Sequence, residues 1–178
     1  MPANIEIKAR LHCPEEITAR VRALAGAPAG TFSQEDLFFR VPRGRLKMRT
    51  ECDNPVEFIY YQRANHGSPM YSAYFRSTPE NSSNTEAELR RLFGTKGIVR
   101  KKRTLFWLCG ARIHIDDVEG LGHFLEVEVP VAGLTKEHHA KALAEKIVSS
   151  LGLCSRDFVC KAYEELLAEG ERAVAAGV

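Results

Sequence analysis

No stretch of this chain approaches the ~18 consecutive apolar residues that a membrane-spanning helix needs, so no membrane partner is expected. The opening residues MPANIEIKAR turn charged at once and lack the apolar core of a signal peptide, which leads us to expect a cytoplasmic protein. The five cysteines, Cys13, Cys52, Cys109, Cys154 and Cys160, are odd in number, widely spaced and without a C-x-x-C pair. That pattern supports neither a disulfide framework nor a zinc ribbon. No fixed-period repeat and no long linker divides the chain, and the phosphate-loop frame G-x-x-x-x-G-K-[ST] is absent. Gly94-Thr-Lys-Gly97 reads as a helix end instead. Charge of one sign is also lacking: 25 Lys and Arg against 23 Asp and Glu leave a net charge of +2. Such a balance does not argue for nucleic acid, and none is expected as a partner.

The 178 residues, 44% of them hydrophobic, suffice for one domain with a full core, read as residues 1–170 with a tail over 171–178. Four helices are expected. One starts at Pro14, with Glu15 and Glu16 in its first turn, and runs to about Ala25. Thr85–Phe93 closes at Gly94 or Gly97, Lys136–Ser150 stops at Gly152, and Phe158 opens a helix to about Ala168. Between them, segments alternate with a period of two: Ile5 to Arg10, Arg45 to Arg49, Phe58 to Arg63, Tyr71 to Arg76, Ile98 to Leu108, Arg112 to Val118 and Phe124 to Val129. Consecutive strands outnumber helices, which favours an antiparallel α+β fold over βαβ winding.

The polar face of a half-buried strand normally meets water, and for any one strand that reading suffices. The set of strands is harder to explain so. Glu6, Lys8 and Arg10 share a face, as do Arg45, Lys47 and Arg49; Lys101 and Arg103; Arg112, His114 and Asp116; and Glu126 and Glu128. Basic residues gather on the middle strands and carboxylates on the first and last two. If the sheet closes with these faces inward, one wall is cationic and another anionic. Lys and Arg are natural donors to phosphate oxygens, and a carboxylate cluster holds a hard cation such as Mg²⁺ or Mn²⁺. The two walls would clamp a metal–polyphosphate. His138-His139 reads as solvent-facing, since neighbours on a helix point apart. Cys109 reads as a buried structural thiol. His114 fits either a tunnel-facing or a packing role. Phe38, Phe39, Tyr60, Tyr61, Phe106 and Trp107 read chiefly as packing residues.

These residues also resemble a known family. Asn4-Ile-Glu6-Ile-Lys8 resembles the E-x-E-x-K signature of CYTH proteins, the triphosphate tunnel metalloenzymes that include class IV adenylyl cyclases and thiamine triphosphatases. Gln34 to Phe39, Arg45-Leu-Lys47-Met-Arg49, Tyr60-Tyr-Gln-Arg63 and Val99-Arg-Lys101-Lys-Arg103 are similar to later strands of that family, in order. Arg112 to Glu128 resembles R-I-H-L-D-x-V-x-G-L-G-x-F-x-E-x-E, closest to the cyclase-named branch, and Lys161-Ala-Tyr163 opens a stretch similar to its closing helix. The resemblance implies a closed eight-stranded, mainly antiparallel β-barrel flanked by helices, with a small-molecule triphosphate in its tunnel. It implies Glu6, Asp116, Glu126 and Glu128 as metal ligands, with Glu6, Lys8 and Glu126 as the catalytic set. It implies Lys8, Arg10, Lys47, Arg49, Arg63, Lys101, Arg103 and Lys161 as the substrate-binding set.

One departure matters: Asn4 stands where the signature has its first acid, removing a negative charge from the metal cluster. The function expected is a metal-dependent phosphohydrolase acting on inorganic tripolyphosphate, thiamine triphosphate or a nucleoside triphosphate. Hydrolysis needs only water, and no adenine-reading element is evident. The alternatives are an adenylyl cyclase making cyclic AMP from ATP, and a non-catalytic polyphosphate-binding module, which Asn4 favours.

Overall fold

The computed structural model describes residues 1–52, 54–63, 67–131 and 136–175. Eight strands close into one barrel: β1 (Ala3–Arg10), β2 (Gly30–Phe39), β3 (Arg45–Glu51), β4 (Glu57–Arg63), β5 (Met70–Ser77), β6 (Thr95–Leu108), β7 (Ala111–Val118) and β8 (Gly122–Val131). Their order around the barrel is β1-β5-β4-β3-β2-β6-β7-β8, every pairing is antiparallel, and β8 returns to β1. Closure leaves no sheet edge unpaired. The β6–β7 turn is Cys109-Gly110, with φ of 51° and 80°; two positive φ values match the right-handed twist of the flanking strands.

Four helices complete the fold: α1 (Pro14–Ala25), α2 (Ser82–Phe93), α3 (Glu137–Ser150) and α4 (Tyr163–Ala175). They explain why the charges face inward. The apolar members of β1, β7 and β8, among them Ile5, Ile7, Ile113, Val127 and Val129, point outward and bury against Ile17 and Val21 of α1 and Ala140, Ala144 and Ile147 of α3. At ~1.5–3 kcal/mol for each large side chain buried, this contact fixes the strand faces. A slip of one residue would put the apolar set in the tunnel and the charges under the helices. A second cluster, Phe38, Val99, Val118, Phe124 and Tyr163 of α4, closes one end of the barrel interior.

Three expectations are corrected. The last helix begins at Tyr163, not Phe158, because the preceding segment is tied to β1: Phe158 bridges Ala9, and Val159 N donates to Lys8 O at 2.9 Å. Cys109 is exposed at the hairpin turn, not buried. Helix α4 continues past Gly170 into the stretch expected as a tail, of which 176–178 lie outside the described residues.

Candidate functional site

Period two along each strand sends alternate residues into the barrel, and the registers set which charges meet. Glu6 of β1 lies opposite Glu128 of β8, and Lys8 opposite Glu126. On the far side of β8, Glu128 faces Arg112 and Glu126 faces His114. Asp36 of β2 stands opposite Arg49 of β3. The interior cavity, of about 110 Å³, is lined by eight cationic side chains (Lys8, Lys47, Arg49, Arg63, Arg76, Lys101, Arg103, Arg112) and four carboxylates (Glu6, Asp36, Glu126, Glu128). It shares Arg49, Arg76, Arg103, Arg112 and Glu128 with a wider mouth of about 440 Å³, where Phe32 and Trp107 add aromatic surface.

The cations and carboxylates are more interleaved than two opposed walls. Asp36 sits within the cationic side, accepting from Arg49 Nε at 2.7 Å, Lys47 Nζ at 2.8 Å and Lys101 Nζ at 3.5 Å. Burial alone would raise its carboxyl, but Arg49, Lys47 and Lys101 hold it well below the usual range. Lys47 moves the other way: burial, with Arg49 and Lys101 adding repulsion, lowers it to about 7 despite Asp36. Burial also lowers Lys8 and Lys101. The carboxylate side is tied by ion pairs along the wall: Lys8–Glu126 at 3.2 Å and Arg112–Glu128 at 2.8 Å between adjacent strands, and Arg63–Glu6 at 3.0 Å across β5. Arg103 donates to both Asp116, through Nε at 2.6 Å, and Glu126. Burial and the neighbouring Glu128 raise Glu6, outweighing Arg63.

His114 is 6% exposed and its Nδ1 has no hydrogen-bond partner among the described residues. Burial and Arg103 push this ring down to about 4, so it is neutral at pH 7. Glu128 is lowered against its burial by His114 when protonated, by Arg112 and by Arg103; at neutral pH the two arginines carry the effect. The Asn4 amide satisfies its surroundings with its oxygen accepting from Arg112 Nη2 at 3.0 Å and its nitrogen donating to Ala3 O at 3.1 Å. Its carbonyl is therefore engaged by a guanidinium. The donor set fits a divalent cation: one ligand atom from each of His114, Glu126 and Glu128 lies within 4.8 Å of the others.

The CYTH domain family model matches residues 2–163. The chain belongs to the CYTH family. A Methanocaldococcus jannaschii protein that carries a provisional adenylate cyclase name is 24% identical over 177 residues, spanning 92% of this chain and 97% of that one. The PH1012 protein of Pyrococcus horikoshii superposes with a TM-score of 0.77 at 25% identity, over 92% of this chain and 98% of its own. A Hippeastrum protein described as a provisional adenylyl cyclase with a dominant triphosphatase activity shares the fold, with a TM-score of 0.66 at 16% identity and 96% of each chain covered.

Of the CYTH residues expected from sequence, the tunnel gathers Glu6, Lys8, Lys47, Arg49, Arg63, Lys101, Arg103, Glu126 and Glu128. Three others are placed apart. Asp116 is fully buried behind Arg103 and accepts from the Tyr163 hydroxyl at 2.9 Å. Arg10 lies beyond the apolar end cluster, stacked 4.6 Å from the Phe124 ring and donating to Leu121 O. Lys161 is exposed and pairs with Glu169 at 2.6 Å; only its carbonyl reaches Lys8 Nζ, at 3.2 Å. Phe38 and Tyr61, read as packing residues, line the cavity. Asp36, Arg76, Arg112 and Tyr163 were not singled out as site residues. The same period-two face that carried Gln34 and Phe38 inward could have found Asp36.

Proposed function

We propose that this CYTH protein is a divalent-metal-dependent phosphohydrolase whose substrate is a triphosphate held inside the barrel. The excess of cations over carboxylates on the lining, eight against four, carries the reading. A triphosphate brings roughly four to five negative charges at neutral pH, given a terminal phosphate pKa near 6. It would take over the partners that the carboxylates now hold. Lys47, Arg49 and Lys101, spread around Asp36, donate to phosphoryl oxygens as a preformed fan, so that little reorganisation accompanies charge development. Lys8 and Arg63 do the same from the side of β1 and β4. Glu6, raised by burial and Glu128, is suited to accept a proton from the attacking water. A bound Mg²⁺ or Mn²⁺ held by Glu126 and Glu128, with Glu6 beside them, would supply Lewis-acid polarisation of a phosphoryl oxygen. The Hippeastrum protein, a cyclase-named chain with dominant triphosphatase activity, supports placing hydrolysis first.

A second reading, cyclisation of ATP, draws on the wide mouth with Phe32 and Trp107, which has room for a nucleoside. A third, binding without catalysis, draws on Asn4, whose oxygen serves Arg112 rather than adding charge to the carboxylate cluster. One product panel separates them: tripolyphosphate, thiamine triphosphate and ATP, each with Mg²⁺ or Mn²⁺, read for phosphate, pyrophosphate and cyclic AMP. Hydrolysis predicts phosphate without cyclic AMP. Cyclic AMP with pyrophosphate from ATP would replace the reading by cyclisation, and no product with undiminished binding would replace it by a sensor.

A further inference from the structure

We propose that His114 is a metal ligand, making the tunnel's cation site a mixed nitrogen–oxygen site built from His114, Glu126 and Glu128 that prefers Mn²⁺ to Mg²⁺. The inference rests on the metal-dependent reading above and says which residues and which class of ion it uses.

The carboxylates differ in what they have left to offer a cation. Asp116 is spent: Arg103 donates two hydrogen bonds to it, Tyr163 a third, and no part of it is exposed. Glu6 gives one oxygen to Arg63 at 3.0 Å. Glu128 is asymmetric. Its Oε2 accepts from Arg112 Nε and Nη2 at 3.0 and 2.8 Å, while its Oε1 faces His114 Nδ1 at 3.7 Å. Glu126, the cross-strand partner of His114, has Oε1 3.2 Å from Lys8 Nζ and Oε2 accepting from Arg103, so a cation there displaces one of these pairs; unlike Asp116 its side chain is partly open, 15% exposed.

His114 is what turns two carboxylates into a site. A histidine 6% exposed normally has both ring nitrogens engaged, and an unpaired buried nitrogen costs free energy. Here Nδ1 is unpaired and is aimed at the carboxylates. A separation of 3.7 Å is too long for a hydrogen bond. It is the spacing of two atoms that share one cation at ~2.0–2.3 Å each. All three ligand atoms lie within 4.8 Å of one another, a few tenths of an ångström beyond the ~4.0–4.6 Å that opposite ligands at those distances span, so small side-chain shifts complete the site. Mg²⁺ favours all-oxygen shells with retained water, whereas imidazole suits the later divalent metals. A fixed nitrogen donor therefore penalises Mg²⁺, and Mn²⁺, although the weakest nitrogen binder of the first-row series, gains relative to it.

The test is metal binding without substrate, read by proton NMR of the imidazole signals and by calorimetry. The six histidines provide internal controls. With substoichiometric Mn²⁺ added to the wild-type protein, the His114 ring signal, assigned with His114→Leu, should broaden first. Calorimetry should give an Mn²⁺ affinity about tenfold above that for Mg²⁺. His114→Leu should lose that preference while Mg²⁺ affinity stays within about twofold, and His114→Asp should move selectivity towards Mg²⁺. Broadening confined to the exposed His138-His139 pair, or an unchanged Mn²⁺ to Mg²⁺ ratio in a folded His114→Leu protein, would overturn the proposal. If His114→Leu fails to fold, His114→Asp supplies the same assignment of the His114 signal. Mn²⁺ bound away from His114 with tripolyphosphate still hydrolysed would sink this inference alone. His114 broadening without any hydrolysis would sink only the catalytic reading.

Discussion

Asp36 shows how much one carboxylate can organise. Three cations converge on it at 2.7–3.5 Å, and without it Arg49, Lys47 and Lys101 would face one another in a buried space. Asp36→Asn is expected to cost about 3–5 kcal/mol, the range for breaking one side of a buried charge cluster, measured by urea unfolding. Added tripolyphosphate should recover part of that loss. Lys47 gives a pH dependence. Its pKa is lowered to about 7 in the empty tunnel, so above that pH a phosphate ligand must first bring the proton back. Tripolyphosphate affinity should therefore fall between pH 7.5 and 9, by up to about tenfold per unit. The direction is read most cleanly with ATP, whose single terminal phosphate ionises near pH 6 and is fully charged across that window; tripolyphosphate's second terminal phosphate still gains charge there and offsets part of the fall. Calorimetry in two buffers should show proton uptake; a flat or rising affinity would count against it. For folding the sign is opposite: a lysine lowered below its unfolded value of 10.5 adds stability as pH rises from about 7 towards that value. At position 4, Asn4→Glu should draw Arg112 from Glu128 and add a carboxylate at the cluster, raising hydrolysis several-fold by the ~0.5–1.5 kcal/mol scale of one interaction. An unchanged or lower rate in a phosphate-release assay would contradict that account of the departure.

Among the elements, α4 was the least legible and does the most to close the site. Residues 158–162 carry an apolar pattern that a helix could also show, but pairing with β1 overrides local propensity there, and the helix starts only where Ala162 N finds the Glu165 carboxylate at 2.8 Å. Tyr163 then sits under Lys8 Nζ, 3.8 Å from its ring centre, and donates to Asp116. Tyr163→Phe keeps the ring and removes the hydroxyl, so thermal and urea unfolding should show a loss of about 1.5–3 kcal/mol with tripolyphosphate affinity little changed. The strands were legible because alternation survives any tertiary context in which one face is apolar. Met48 and Phe58 cluster on the outer face with Leu89 and Phe93 of α2, as their spacing required; Leu37 and Phe39 join them from β2, a strand expected only from the family resemblance. The partners of each charge were not legible. Whether Asp116 meets a metal or an arginine depends on barrel shear and on α4, neither of which is written in the spacing of one strand. Arg10 shares the parity of Glu6 and Lys8, yet the apolar end cluster lies between it and the cavity.

At the scale of the molecule, the barrel reverses the usual arrangement. Helices cover an apolar exterior, and the interior carries the charge. Such an interior is costly to bury, and its cations exceed its carboxylates, so it should gain most from a polyanion. Saturating metal–tripolyphosphate, at 100 times its dissociation constant, should stabilise the fold by about 2.7 kcal/mol. Among the described residues no helix is long and apolar enough to cross a membrane. The most direct test of the account is phosphate release from tripolyphosphate with Mg²⁺ or Mn²⁺, comparing the wild-type chain with Glu126→Gln. The account predicts release that requires metal and falls by about a hundredfold in the variant. Equal silence of the two proteins, with tripolyphosphate still bound, would contradict it.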